Sequence, residues 1–284
     1  MNAVGLTKDY GGFKAVDELD LVVERGELVA VLGPNGAGKT TTIEMFEGYR
    51  QRSAGDLSVL GVDPGKAGRD WRARIGIVLQ TASDGSDVSV RFLLRHYAKL
   101  YPRSRSVDEL IGLVGLDEKA DSKVASLSGG QRRRLDVALG IVGCPELLFL
   151  DEPTTGFDPE ARRDFWALIK RLHAEGTTIL LTTHYLAEAE ALAERVVVMN
   201  HGRVVADSSV RELQARAGDV ATVGWVDASG VAHAEETATP GELVVRLRNQ
   251  LGAEPMALTV TRPSLEDVYL ELVGQASVGA NVDG

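Results

Sequence analysis

The stretch LVAVLGPNGAGKTT, residues 28–41, joins an apolar run to a glycine-rich loop. Leu28 to Leu32 carry no polar side chain, which suits a strand buried on both faces. The loop Gly33-Pro34-Asn35-Gly36-Ala37-Gly38-Lys39-Thr40 fits GxxxxGK[ST] in full. Glycines let backbone N–H groups curl around phosphates, Lys39 adds a point charge, and the Thr40 hydroxyl can ligand Mg²⁺. Average residue usage puts a chance match on the order of one percent for a chain of this length. A helix-like segment, TTTIEMFEGY, follows.

Three further apolar runs have the same character: IGIVL (75–79), ELLFL (146–150) and TTILLT (177–182). Each stops at polar residues. The first reaches Gln80, the second Asp151-Glu152 and the third Thr183-His184. Ligands of open α/β sheets bind at the carboxyl ends of the strands, so these residues gather at one edge. One carboxylate there can hold Mg²⁺, and the next can polarise an attacking water as general base. Alone, Asp151-Glu152 before Pro153 could equally be an acidic turn or a helix cap. His184 could be an ordinary strand-end histidine, and Gln80 is the weakest signal by itself. Beside a phosphate loop, His184 is expected to contact the terminal phosphate or the water.

A second phosphate seat is written in LSGGQRRRLDVALG, residues 127–140. Ser128, Gly129 and Gly130 stand at a helix start, where free N–H groups and the helix dipole favour an anion. Leu135, Ala138, Leu139 and Val142 recur at helical spacing and predict the face that docks on the domain. Arg132-Arg133-Arg134 is expected on a solvated or interfacial face.

The composition is that of a globular chain with a real core: 284 residues, 44% hydrophobic and 25% charged. A net charge of -10 argues against nucleic acid as a partner. The single cysteine, Cys144, excludes an intrachain disulfide, fits a reducing compartment, and reads as a small filler. No segment has the ~20 apolar residues of a membrane span, and MNAVGLTKDYGG lacks a signal-peptide core. A cytoplasmic location is expected, peripheral to a membrane only through a partner.

In order and spacing, GPNGAGKTT, Gln80, LSGGQ, LLFLDEP, TGFD and His184 resemble the nucleotide-binding subunit of an ABC transporter, over residues 2 to about 208. The resemblance implies a P-loop (RecA-like) ABC ATPase core of α/β class. It also implies a mostly parallel sheet, an N-terminal antiparallel β subdomain and a helical subdomain at about 81–142. ATP and Mg²⁺ are the implied ligands. Gly33, Pro34, Asn35, Gly36, Ala37, Gly38, Lys39, Thr40 and Thr41 form the Walker A loop, and Tyr10 stacks on adenine unless it is an ordinary strand aromatic. Thr40, Gln80 and Asp151 serve Mg²⁺. Glu152, His184 and Gln80 serve catalysis. Ser128, Gly129, Gly130 and Gln131 form the signature motif, and Asp158 lies in the D-loop. In the family, two subunits pack head to tail, and each ATP lies between one Walker A loop and the other signature helix. A homodimer is expected. Phe157 departs from the family's usual Leu.

The helices expected at VRFLLRHYAKLY (90–101) and SVDELIGLVGL (106–116) fall in the lobe that grips a separate transmembrane permease chain, with the groove around 80–102. The loop TASDGSDVS (81–89) is flexible by composition.

Past residue 208, ATVGWVDASGVAHAEE predicts two strands around a turn at 227–230. TPGELVVRLRNQLG predicts a helix from Thr239 to Gly252 with Pro240 in its first turn. MALTVT predicts a strand. PSLEDVYLELVG predicts a helix capped by Ser264, with Leu265, Val268, Tyr269 and Leu272 on one stripe. Residues 209–274 thus read as a small α/β appendage, and 275–284 as a disordered tail. The ending resembles the daunorubicin-resistance type of drug- and antibiotic-exporting ATPases, which implies efflux of a drug, antibiotic or lipid-like substrate. An importer subunit and a soluble, non-transport ABC ATPase are the alternatives.

Overall fold

The computed structural model describes residues 1–78, 87–216, 220–227, 229–253, 255–261 and 265–279. Gln80, most of the 81–89 loop and Ser264 lie outside the described residues. Two compact units emerge, Met1–Asp207 and Ser208–Gly284.

The first unit opens with β1 (Asn2–Tyr10) and β2 (Phe13–Val22), then β3 (Leu28–Leu32), α1 (Lys39–Phe46) and β4 (Ala54–Ser58). Strands β2, β1 and β4 form an antiparallel sheet in that order. Short α2 (Arg69–Arg72) leads to β5 (Ile75–Val78). The helical part follows as α3 (Val90–Ala98), α4 (Val107–Leu113) and α5 (Gly129–Ile141). Then come β6 (Leu147–Asp151), α6 (Pro159–Ala174), β7 (Thr178–Thr183), α7 (Leu186–Leu192), β8 (Arg195–Asn200) and β9 (Arg203–Ser209).

Among the described residues, the main sheet runs β5-β6-β7-β3-β8-β9. Its β5·β6, β6·β7, β7·β3 and β3·β8 pairs are all parallel. Every residue of β3, β6 and β7 is buried, as central parallel strands covered on both faces must be. Register then sets the chemistry. Leu32 lies opposite Thr183, and Asp151 opposite Thr182. The phosphate loop, the carboxylates and His184 therefore leave the sheet at one edge.

Ser128 caps α5 through a capping box with Gln131. Leu135, Ala138 and Val142 are buried as the spacing predicts, and Leu139 is half-buried. The arginine run departs from expectation. Arg133 is buried with 7% of its surface exposed, because Val137 and Ile141 continue a second inward row at i+4 and i+8.

The second unit has α8 (Val210–Arg216), β10 (Ala221–Val226), β11 (Ala232–Thr237), α9 (Pro240–Leu251), β12 (Met256–Thr261) and α10 (Leu265–Gly279). Its sheet is antiparallel, in order β11-β10-β12, with Val223, Leu243 and Leu247 as its core. Asp227 makes the hairpin turn, accepting hydrogen bonds from the N–H groups of Ser229 (2.8 Å) and Val231 (3.0 Å). The Ser229 hydroxyl, donating at 2.6 Å, holds its carboxyl well below the usual range, followed by His233 and the Val231 and Ser229 N–H groups. Gly252 ends α9 in a left-handed conformation. Helix α10 runs to Gly279, which corrects the expected tail at residues 275–279. Once the first turns are nucleated, each further residue adds a hydrogen bond, and no proline interrupts the ladder.

Gly38 is required by geometry. Its φ is 97°, and a Cβ there would stand 2.3 Å from the carbonyl oxygen of Ala15. Gly38→Ala is expected to lower stability by about 1–2 kcal/mol from backbone strain alone, with the clash adding to it. Urea denaturation of the two proteins measures the difference.

Candidate functional site

The phosphate loop curls around the Lys39 ammonium, which donates to the carbonyl oxygens of Gly33 (2.8 Å) and Pro34 (3.1 Å). Lys39 is only 5% exposed, and this burial pushes its pKa below the ordinary lysine value. The carboxylates of Glu152 and Asp151 pull in the opposite direction. Glu152 Oε1 lies 3.8 Å from the ammonium. A desolvated cation beside open loop N–H groups gains strongly from an anion that replaces lost water.

Thr40 and Asp151 meet across 111 residues of sequence, with the Thr40 hydroxyl donating to Asp151 Oδ2 at 3.2 Å. Thr182 holds the other carboxylate oxygen with its own hydroxyl. A hydroxyl and one oriented carboxylate are hard oxygen donors, and with phosphate oxygens and water they fit Mg²⁺. The described residues show no cluster of three or more His, Cys, Asp or Glu. Mg²⁺ held by one carboxylate and a substrate does not need one.

Glu152 sits at the strand end with φ +44°, a region uncommon for L residues. Its N–H donates to both the carbonyl and the hydroxyl of Thr182, each at 3.1 Å. His184 Nδ1 lies 3.3 Å from Glu152 Oε1. Tyr10 is 44% exposed at the tip of the β1–β2 hairpin, opposite Phe13, with the Lys8 ammonium 5.0 Å and the Arg50 guanidinium 5.5 Å from its ring centre. A cavity of about 680 Å³ joins Tyr10, Asn35, Gly36, Gly38, Lys39, Thr40, Thr41, Glu152 and His184. Its size suits a nucleotide.

The residues at the start of α5 stand apart from this cavity. Ser128 and Gly129 are exposed, and neither they nor Gln131 line it. Asp158 is absent from the lining too, and its carboxylate caps α6 by accepting from the N–H groups of Glu160 and Ala161, each at 2.9 Å. Those bonds hold its pKa down, the Ala161 N–H first. One chain thus brings together the loop at 33–41, Asp151, Glu152 and His184 and leaves Ser128 and Gly129 exposed elsewhere. Gln80 lies outside the described residues. Phe157 packs edge-on against Phe165, with 5.8 Å between ring centres.

Sequence reading missed Thr182, Phe13 and Arg133. Thr182 ends an apolar run, so a buried hydroxyl at that strand end was the available signal. Arg133 Nε donates to the Pro153 carbonyl at 2.9 Å, and Nη2 donates to the Asp151 carbonyl at 3.1 Å. Its sign was the inward row with Val137 and Ile141.

Residues 16–155 match the family described as ABC transporter. The daunorubicin/doxorubicin resistance ATP-binding protein of Streptomyces peucetius is 42% identical over 262 residues, covering 90% of this chain and 78% of its own. The Nod factor export ATP-binding protein I of Rhizobium sp. (strain N33) is 36% identical over 298 residues, covering 97% of each chain. The solved ATP-binding subunit of an ABC transporter superposes with a TM-score of 0.72 at 25% identity, over 95% of this chain and 98% of its own. A dimeric ATP-binding cassette bound to ADP and Pi in a post-hydrolysis state shares the fold at 22% identity and a TM-score of 0.66, over 73% of this chain and 97% of its own. The chain belongs to the ABC transporter family, as one of its ATP-binding and ATP-hydrolysing subunits.

Proposed function

We propose that this chain supplies ATP energy to an exporter of a drug-like, antibiotic or lipid-like substrate, paired with a second copy of itself and with a separate membrane chain. The observation that carries the pairing is the split site. A cavity lined by the phosphate loop and an exposed, capped Ser128 tip occur in one chain without meeting. Two copies head to tail would put each tip on the other's nucleotide. An anion at a helix start contributes about 0.3–1 kcal/mol, so the closed pair rests on two bridging nucleotides and opens after hydrolysis.

Within each site Lys39 and the loop N–H groups bind and orient the phosphates. Thr40 and Asp151 would hold Mg²⁺, which neutralises phosphate charge when bound. Glu152 takes the proton of the attacking water, and His184 orients the terminal phosphate against it. Tyr10 carries the adenine face.

The export direction and a lipid-like or drug-like cargo rest on relatives named for daunorubicin resistance and Nod factor export. No described helix is long and apolar enough to cross a membrane, and the exporter reading gives the pathway to the separate membrane chain. A groove of about 540 Å³ between the segment after α1, α2, β5, α3 and α5 suits a segment of that partner, with Tyr49, Tyr97, Tyr101 and Leu139 among its walls. Glu47 lies on the same groove, and its carboxyl is pushed up to about 8 by burial, then by Asp151 and Glu44.

Leu139→Asp in the groove is expected to leave ATP turnover of the free chain within about twofold while releasing it from membranes that contain the partner. Co-sedimentation with those membranes and ATP-driven uptake into inverted vesicles test this. Wild-type sedimentation of Leu139→Asp would refute the groove, and absence of any ATP-driven uptake would refute the exporter.

A further inference from the structure

We propose that Arg133 is the positioning residue that fixes Glu152 in its working conformation and joins it to the signature helix. This rests on the general-base role given to Glu152 above. Glu152 has a left-handed backbone, which persists only where its surroundings over-determine it. Thr182 grips the Glu152 N–H from the sheet side. Arg133 grips from the helix side, donating to the carbonyls of Asp151 and Pro153, one residue before Glu152 and one after. A single buried guanidinium thus spans the strained residue.

Burying a charge is costly, and fewer polar atoms could have closed the same packing. The planar fork of Arg can serve two carbonyls at once, which an ammonium does less well. Arg133 is five positions from Ser128 on the same helix, α5. The tip that meets one nucleotide and the carboxylate that acts on the other therefore move as one piece. A shift of the tip is passed to Glu152 through two hydrogen bonds.

The test uses the full chain with Arg133→Gln, Arg133→Lys and Glu152→Gln, reading kcat, KM and the affinity for a fluorescent ATP analogue. Misplacing a catalytic group by about 1 Å costs roughly 10²-fold, so Arg133→Gln is expected to lose about that factor in kcat, with analogue affinity within about twofold. Arg133→Lys, keeping the charge and one carbonyl, is expected to lose roughly tenfold. Wild-type kcat in both Arg133 variants, beside an inactive Glu152→Gln, would overturn this proposal alone. A parallel loss of affinity, melting temperature and kcat in both would also overturn it, showing a packing brace. Should the Gln variant fail to fold, the Lys variant decides, by reduced or unreduced kcat at normal affinity. An active Glu152→Gln would instead remove the general base itself and this proposal with it.

Discussion

Glu152→Gln is expected to reduce ATP turnover by about 10²–10⁴-fold while preserving ATP-driven pairing of the chain. The change is nearly isosteric. It leaves the backbone bonds to Thr182 intact, since these use the Glu152 N–H rather than its carboxylate. Lys39 keeps its bonds to Gly33 and Pro34. It loses only the attraction of a carboxylate 3.8 Å away, which frees its charge for phosphate. ATP should therefore bind at least as tightly, and the closed pair should accumulate because it cannot discharge. Size exclusion with ATP, beside a phosphate-release assay, measures both effects. Turnover within tenfold of the parent would take the proton-abstracting role from Glu152.

Ser128→Arg is expected to abolish hydrolysis, by more than about 10²-fold, without impairing ATP binding to the single chain. Ser128 is exposed and outside the Tyr10–His184 cavity, so nucleotide capture in the same chain does not involve it. Its hydroxyl accepts the Gln131 N–H at 3.3 Å, and loss of that cap costs about 0.5–2 kcal/mol, which a chain of this size withstands. A bulky cation at the tip blocks close approach of the second copy's phosphates. Isothermal titration with a slowly hydrolysed analogue checks binding, and phosphate release checks turnover. Normal turnover would show that the tip takes no part in the reaction.

Local chemistry made most of this readable. The phosphate loop is a contiguous motif, and the three buried strands are unbroken apolar runs, so β3, β6, β7 and their polar ends could be placed from sequence. The Asp227 turn and the Gly252 stop are likewise local events. The register that sets Asp151 beside Thr182, and the Thr40–Asp151 contact, join residues far apart in the chain and leave no local trace. Arg133 was misplaced because three consecutive arginines suggest a solvated face, whereas helical geometry turns the middle one inward. The expected tail at 275–279 failed because low burial in sequence does not stop a helix already propagating from packed Leu265 and Val268.

That neither copy completes a site alone is tested by specific ATPase activity against protein concentration. Dilution through the range where light scattering shows pairs giving way to single chains should drive activity per chain toward zero, with a second-order dependence on protein. Activity per chain that stays constant in fully monomeric solution would contradict the shared site.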